Sequence, residues 1–196
     1  MPTGEIVAIP SRGALMGNRG ILHNTSKKLG VSRWQHPHWV TCVLSFKNRH
    51  RPVMTPRRYT ELFFLDEPTA LAAGHRPCGE CRRQDFLKFK LHFSAANKTT
   101  NLREIDELMQ AQRVRRDRMQ VRYQACAMDL PDGTFVMHKD KPYLVWRSAL
   151  YQFTPSGYGG VRDIPSEQVT VLTPRCTVQT LSNGYSPTPH ASIERL

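Results

Sequence analysis

The most constraining feature of this chain is a pair of cysteines, Cys78 and Cys81, that directly follows a short predicted helix. Asp66 is a favourable N-cap, Pro68 suits the first helical turn, and Gly74 is a favourable C-terminal stop. The helix should therefore end just before Cys-x-x-Cys. Two thiolates at this spacing can close on one tetrahedral ion, so the motif predicts half of a zinc site. A redox pair is the alternative, which the intervening Gly-Glu does not favour.

A structural zinc site needs four ligands, usually Cys or His, so two more must come from elsewhere in the chain. Cys42, on a predicted strand, and His50, in the basic turn that follows it, are the preferred third and fourth ligands. His36 and His38 flank one proline and are close alternatives, and His75 is a further candidate beside the cysteine pair. An odd count of five cysteines and no recognisable secretory signal favour reduced thiols over a disulfide framework.

The positive charge of the chain is concentrated in its first two thirds. Residues 1–128 hold 22 of the 28 basic residues against 10 acidic ones, whereas residues 129–196 are balanced. Most of the basic residues are arginine, whose planar fork fits phosphate. The asymmetry predicts nucleic acid as the partner, DNA more than RNA, and a solvated basic surface is the alternative. The candidate phosphate contacts are Arg49, Arg51, Arg57, Arg58, Arg76, Arg82, Arg83, Arg115, Arg118 and Arg122.

Apolar periodicity predicts an α+β fold, with a small antiparallel sheet, a zinc knuckle and packed helices, followed by a C-terminal β-meander. A soft boundary near residue 128 separates a basic region, 1–128, from a neutral β-rich region, 129–196, although the two can share one core. Residues 1–35 are interpreted as an irregular arm because glycines are frequent and periodic apolar positions are few. The remaining predicted elements before the boundary are strands over 39–46 and 59–65 and helices over 82–97 and 102–123. In the first of these helices, Phe86, Phe89 and Phe93 share one face that is predicted to be core, with Leu87 and Leu91 beside it.

Residues 63–82 carry a resemblance to a known family. They read Phe-Phe-Leu-Asp-Glu-Pro-Thr-Ala-Leu-Ala-Ala-Gly-His-Arg-Pro-Cys-Gly-Glu-Cys-Arg. This segment resembles the second half of the Ada-type metal-binding domain, the zinc module of the bacterial adaptive-response DNA repair protein. In that family an aromatic strand, an alanine-rich helix ending in glycine, and Arg-Pro-Cys-x-x-Cys-Arg occur in the same order. The wider chain also resembles a bacterial protein family, but this second resemblance does not indicate an activity.

The resemblance implies that Cys78 and Cys81 are zinc ligands in a small DNA-contacting module. The family has an upstream cysteine pair, one member of which accepts a methyl group from a DNA phosphotriester. This chain has only Cys42 upstream, and Cys42 lies further from Cys78 in the sequence than the family spacing allows. His50 lies nearer the expected spacing. A histidine in place of a cysteine would keep the zinc and lose the nucleophile, which predicts a structural metal.

The sequence thus predicts a zinc-stabilised nucleic-acid-binding protein. Two alternatives stay open. One is an enzyme acting on nucleic acid, either a thiol alkyl acceptor at Cys42 or a metal-dependent nuclease, and the other is a protein-interaction module in the β-rich region. No run of about 18 apolar residues occurs, so no membrane partner is expected, and a cytoplasmic location is the expectation.

Overall fold

A computed structural model describes residues 1–48 and 52–196 of the chain. The helices within these residues are α1 (Glu67–Ala72), α2 (Arg83–Asn97), α3 (Leu102–Arg113) and α4 (Arg175–Ser182). The strands are β1 (Leu15–Asn18), β2 (Val40–Val43), β3 (Leu62–Phe64), β4 (Arg76–Pro77), β5 (Tyr123–Cys126), β6 (Phe135–His138), β7 (Lys141–Trp146), β8 (Ala149–Thr154), β9 (Gly157–Asp163) and β10 (Gln168–Val171). Helices and two separate sheets together confirm the α+β class.

The first sheet has four strands in the order β3-β1-β2-β4 and carries the cysteine pair at its β4 end. Its antiparallel part was expected, but β4 runs parallel to β2, so the sheet is mixed. The interpretation of residues 1–35 as wholly irregular was wrong, because β1 pairs with both β2 and β3. Two glycines of this segment allow close packing on Phe64: a Cβ on Gly13 would lie 2.4 Å from the Phe64 carbonyl oxygen, and one on Gly17, within β1, would lie 2.4 Å from the Phe64 ring. Glycines usually indicate a loop, but in this segment they allow a strand to approach its neighbour closely.

The second sheet has six antiparallel strands in the order β5-β10-β6-β7-β8-β9. Strands β6 to β9 pair with one another in chain order, as expected for the C-terminal meander. The edge strand β5 begins at Tyr123, the last residue of the helix that the sequence predicted over 102–123. That prediction was wrong beyond Arg113, where α3 ends and an antiparallel bridge joins Val114 to Gln120.

Buried side-chain contacts explain why α3 stops early. The Arg113 guanidinium lies in the interior and donates to the Gly74 carbonyl at 2.9 Å. The Gln120 amide donates to the carbonyls of Pro2, Ala72 and Leu172, which ties the following turn to three separate segments. These contacts with distant backbone override the local helical pattern.

The helices share a core with residues from both sides of position 128. Phe89 and Phe93 of α2 are fully buried, as their spacing predicted. They pack with Ile105 and Met109 of α3 and with Leu181 of α4. Leu87 and Leu91 were expected beside this core and are exposed instead, because they lie on the outer side of α2. The division into residues 1–128 and 129–196 stays a prediction.

Helix α1 begins and ends where the sequence indicated. The Asp66 carboxylate accepts a hydrogen bond from the Thr69 amide at 2.9 Å, which is an N-cap contact. Gly74 follows the helix with a φ of +82°, a conformation that glycine adopts without strain. The helix is buried on all sides, so its caps satisfy backbone groups that water cannot reach.

Replacement of Gly74 by alanine is expected to lower the free energy of unfolding by about 2 kcal/mol. The new Cβ would stand 2.5 Å from Cδ of Arg113, and the positive φ would be strained as well. Urea unfolding monitored by circular dichroism measures the change. Gly159→Ala is the matched control, because no heavy atom lies within 4 Å of its Cβ position and its φ is not strained. Equal stability of the two variants would contradict the argument.

Candidate metal centre

Three cysteine sulfurs lie together at the edge of the first sheet. Cys42 is on β2, and Cys78 and Cys81 come directly after β4. The sulfur atoms of all three lie within 4.8 Å of one another, a separation at which one metal ion could contact each of them. The sequence named these three residues, and the structure brings them together.

Strand pairing is what brings Cys42 to the other two. In the parallel pairing of β2 with β4, Val40 lies opposite Arg76 and Thr41 opposite Pro77. The Cys78 amide continues this ladder and donates to the Thr41 carbonyl at 2.9 Å. Cys78 is thereby held beside Cys42. A turn follows, closed by the Arg82 amide donating to the Cys78 carbonyl at 3.1 Å, and it returns Cys81 to the same side.

Polar contacts within the cluster favour one thiolate at Cys78. Its pKa is lowered to about 5, chiefly because the Cys42 thiol donates a hydrogen bond to it and also because the Cys81 and Glu80 amides point at its sulfur. The Glu80 amide lies 3.4 Å from that sulfur. The pKa of the Cys42 thiol is raised, first by the hydrogen bond that it donates to Cys78 and then by burial. Burial also raises the pKa of Cys81. A metal ion binding all three as thiolates must displace protons.

The buried Arg82 guanidinium joins the two chain segments that carry the cysteines. It follows Cys81 directly, and its Nη1 donates to the Thr41 hydroxyl, next to Cys42, at 3.0 Å. Its Nη2 donates to the Glu67 carboxylate at 2.7 Å. Glu67 also accepts from the Tyr185 hydroxyl at 2.7 Å, so the network extends from the metal centre to the C-terminal segment.

Among residues 1–48 and 52–196, no further Cys, His, Asp or Glu joins the three sulfurs. His50, the preferred fourth ligand, lies outside the described residues. The alternatives lie outside the cluster: Nδ1 of His38 lies 2.8 Å from the Asp106 carboxylate, and the His36 ring stacks on His38. His75 is fully buried, and its Nε2 accepts from Nε of Arg19. Burial, followed by the charges of Arg19 and Arg113, lowers the His75 pKa well below its usual value.

The ten candidate arginines are in different environments. Arg76 and Arg82 are in the interior, and Arg76 makes a two-pronged ion pair with Asp106 at 2.7 and 2.8 Å. Both guanidinium groups are therefore used within the fold. Arg57, Arg58 and Arg83 are exposed in the part of the chain that contains the cysteines. Arg115, Arg118 and Arg122 are also exposed, on the segment between α3 and β5, while Arg49 and Arg51 lie outside the described residues.

A second pair of buried arginines was not identified from the sequence. The Arg19 and Arg113 guanidinium carbons lie 4.0 and 3.9 Å from the ring centre of Trp39. Burial lowers the pKa of both arginines to about 9. Each arginine also donates to a carbonyl just after α1, Nη2 of Arg19 to Ala73 at 3.2 Å and Nη1 of Arg113 to Gly74 at 2.9 Å. No local signal separates these two arginines from exposed ones, since each contacts residues distant in sequence.

The three cysteines also border a cleft of about 730 Å³. Residues from β1, β2 and β3 line its floor, and residues from the segments on either side of positions 49–51 line its walls. Its volume is within the usual range for pockets that bind small ligands. Within the described residues, the metal centre therefore borders a cleft.

Comparisons with known proteins leave the chain without an assigned relative. No family model matches it, and neither a curated protein nor a solved structure is significantly similar to it. None of the described helices combines the length and apolar character needed to cross a membrane.

Proposed function

We propose that this protein is a nucleic-acid-binding protein stabilised by a structural zinc ion. Cys42, Cys78 and Cys81 supply three ligands, and His50 is the fourth on the strength of the sequence alone. DNA is the preferred nucleic acid. Reduced thiols in a cytoplasmic setting belong to the same proposal.

The observation that carries the proposal is the convergence of the three sulfurs within 4.8 Å. Three thiolates with one imidazole form a common structural zinc set, and a set of four protein ligands leaves no open position for catalysis. The sulfurs join β2 to the turn after β4, so an ion bound to them would cross-link the small sheet. This arrangement supports a metal that stabilises the fold.

Charge supports nucleic acid as the partner. The chain has a formal net charge of +12, and its excess lies in the residues that form the small sheet and the first three helices. With Arg76 and Arg82 buried, the exposed Arg57, Arg58 and Arg83 are the described candidates for phosphate contacts near the metal centre. The resemblance of residues 63–82 to the Ada-type zinc module agrees with this proposal.

An enzymatic role is the second candidate, because the cysteines border an open cleft. If His50 is not a ligand, three cysteines and a water would complete the coordination, as in catalytic zinc sites. Replacement of His50 by alanine separates the two readings. A structural role predicts zinc binding weakened at least about 10-fold, measured by competition with a chromophoric chelator. Unchanged zinc affinity would instead favour three protein ligands and an open position.

Nucleic-acid binding is tested by titrating the zinc-loaded protein into labelled DNA at salt concentrations from about 50 to 200 mM. We expect affinity to fall steeply with salt because phosphate contacts displace counterions. Changing Arg57 and Arg58 together to glutamine should reduce the slope of log K against log salt by about 1.5 to 2. Arg147 and Arg195 are exposed in the charge-balanced region, so their double glutamine variant is the matched control. Absence of salt-sensitive binding would reject nucleic acid as the partner.

A further inference from the structure

One face of the small sheet forms the floor of the cleft beside the metal centre. Met16 lies opposite both Cys42 and Phe63, and Asn18 lies opposite Val40, so the side chains of these residues point to the same face. All five line the cleft. The other face is covered, since Thr41 and Phe64 are buried. The sheet thus has one packed face and one that opens into the cleft.

An aromatic side chain is prominent on this open face. Phe63 is 47% exposed, whereas its neighbour Phe64, on the packed face, is 3% exposed. Phe46 and Tyr59 line the same cleft and are half-buried, and Leu44 and Val53 add exposed apolar surface. Exposed aromatic rings on a sheet face are the platforms on which proteins stack unpaired bases.

The charges around the cleft fit a strand whose backbone stays at the rim. The acidic groups of the lining are engaged: the Glu61 carboxylate accepts from the Met54 amide at 2.8 Å, and Glu80 lies 4.0 Å from Lys47. The exposed Arg58 lines the cleft, and Arg57 precedes it. Neither arginine makes an ion pair with another residue in the described part of the chain. A cleft with apolar and aromatic walls and cations at its edge is suited to hold bases inside it while the phosphates of the strand stay at the rim.

We propose that this cleft binds unpaired bases of single-stranded nucleic acid, with Phe63 as the stacking platform and Arg57 and Arg58 on the backbone phosphates. The proposal rests on the proposed function, because it takes nucleic acid as the partner and names the form that is bound. A duplex keeps its bases paired and stacked within the helix, so it cannot place them in the cleft without being opened. Single strands therefore bind more tightly than duplexes of the same sequence.

The test compares zinc-loaded wild type with Phe63→Ala by fluorescence anisotropy, using a labelled single strand of about 20 nucleotides and the matching duplex. Loss of one stacking contact should weaken single-strand binding about 5- to 150-fold and leave duplex binding nearly unchanged. Leu91→Ala is the control, because Leu91 is an exposed apolar residue on α2 outside the cleft lining. Phe63→Trp should retain single-strand binding, and its indole fluorescence should be quenched by the bound strand.

The outcomes separate this proposal from the one on which it rests. Salt-sensitive binding that is unaffected by Phe63→Ala, or equal affinity for single strand and duplex, overturns the base-binding cleft and leaves nucleic-acid binding in place. No binding of either form overturns both proposals. If Phe63→Ala does not fold, Phe63→Trp provides the test. Unchanged indole fluorescence at a saturating concentration of single strand would contradict stacking.

Discussion

Replacement of Cys78 by serine is expected to remove the metal and much of the stability of the protein. The Cys78 amide donates a hydrogen bond to the Thr41 carbonyl, and the Cys78 sulfur accepts one from the Cys42 thiol. Cys78 is therefore the central member of the cluster. A serine hydroxyl is a poor zinc ligand, so Cys42, Cys81 and the proposed ligand His50 would leave the tetrahedral set one ligand short. Zinc content measured by mass spectrometry of metals should fall from about one per chain towards none.

The stability change follows from linkage between metal binding and folding. Zinc at about 1,000 times its dissociation constant stabilises the folded state by about 4 kcal/mol, and Cys78→Ser should lose this amount. Urea unfolding of wild type and variant, with zinc and with chelator, measures it. The two proteins should differ with zinc and become similar with chelator. Cys126→Ser is the control, because Cys126 is a partly buried cysteine outside the cluster. A Cys78→Ser protein that keeps its full zinc content would contradict the metal site.

Replacement of Arg82 by methionine is expected to destabilise the fold by about 3 to 5 kcal/mol. The variant keeps much of the side-chain volume but leaves the buried Glu67 carboxylate without its ion pair, which lies at 2.7 Å in the wild type. Removing one partner of a buried ion pair strands the other charge in a medium that solvates it poorly. Urea unfolding in the presence of zinc measures the loss.

The same substitution should also weaken zinc binding, because Arg82 links Thr41 to the turn that carries Cys81. We expect a decrease of about 10- to 100-fold in zinc affinity, as is typical when a residue that orients metal ligands is lost. Arg83→Met is the matched control, since the next residue in the chain is an exposed arginine. Arg82→Lys should recover only part of the affinity, because an ammonium group cannot span both partners as a guanidinium does. Equal effects at positions 82 and 83 would contradict this role.

Features that depend on neighbouring residues could be predicted from the sequence. The Asp66 cap, the stop at Gly74 and the buried stripe of Phe89 and Phe93 each follow from side-chain chemistry within a few turns of helix. The Cys-x-x-Cys motif is of the same kind, because a short turn places both sulfurs on one side. The meander was predictable as well, since its successive strands pair with their neighbours in the chain.

Features that depend on distant residues were missed or left open. Strand β1 was hidden by its glycines, whose purpose appears only when Phe64 packs against them. The end of α3 at Arg113 depends on the Gly74 carbonyl, and the burial of Arg76 depends on Asp106. In the sequence, a buried arginine and an exposed one are the same residue type with similar neighbours. Only the partner, which is far along the chain, distinguishes them.

Residue patterns were enough to infer the fold class, the local helix boundaries around the cysteine pair and the excess of positive charge. Folding was needed to distinguish the buried arginines from the available ones and to bring Cys42 beside Cys78 through the parallel pairing of β2 with β4. The two groups of features differ in the range of the interactions that produce them. Capping and side-chain periodicity act within a few residues, whereas strand pairing and the desolvation of charge depend on groups that folding brings together from separate parts of the chain.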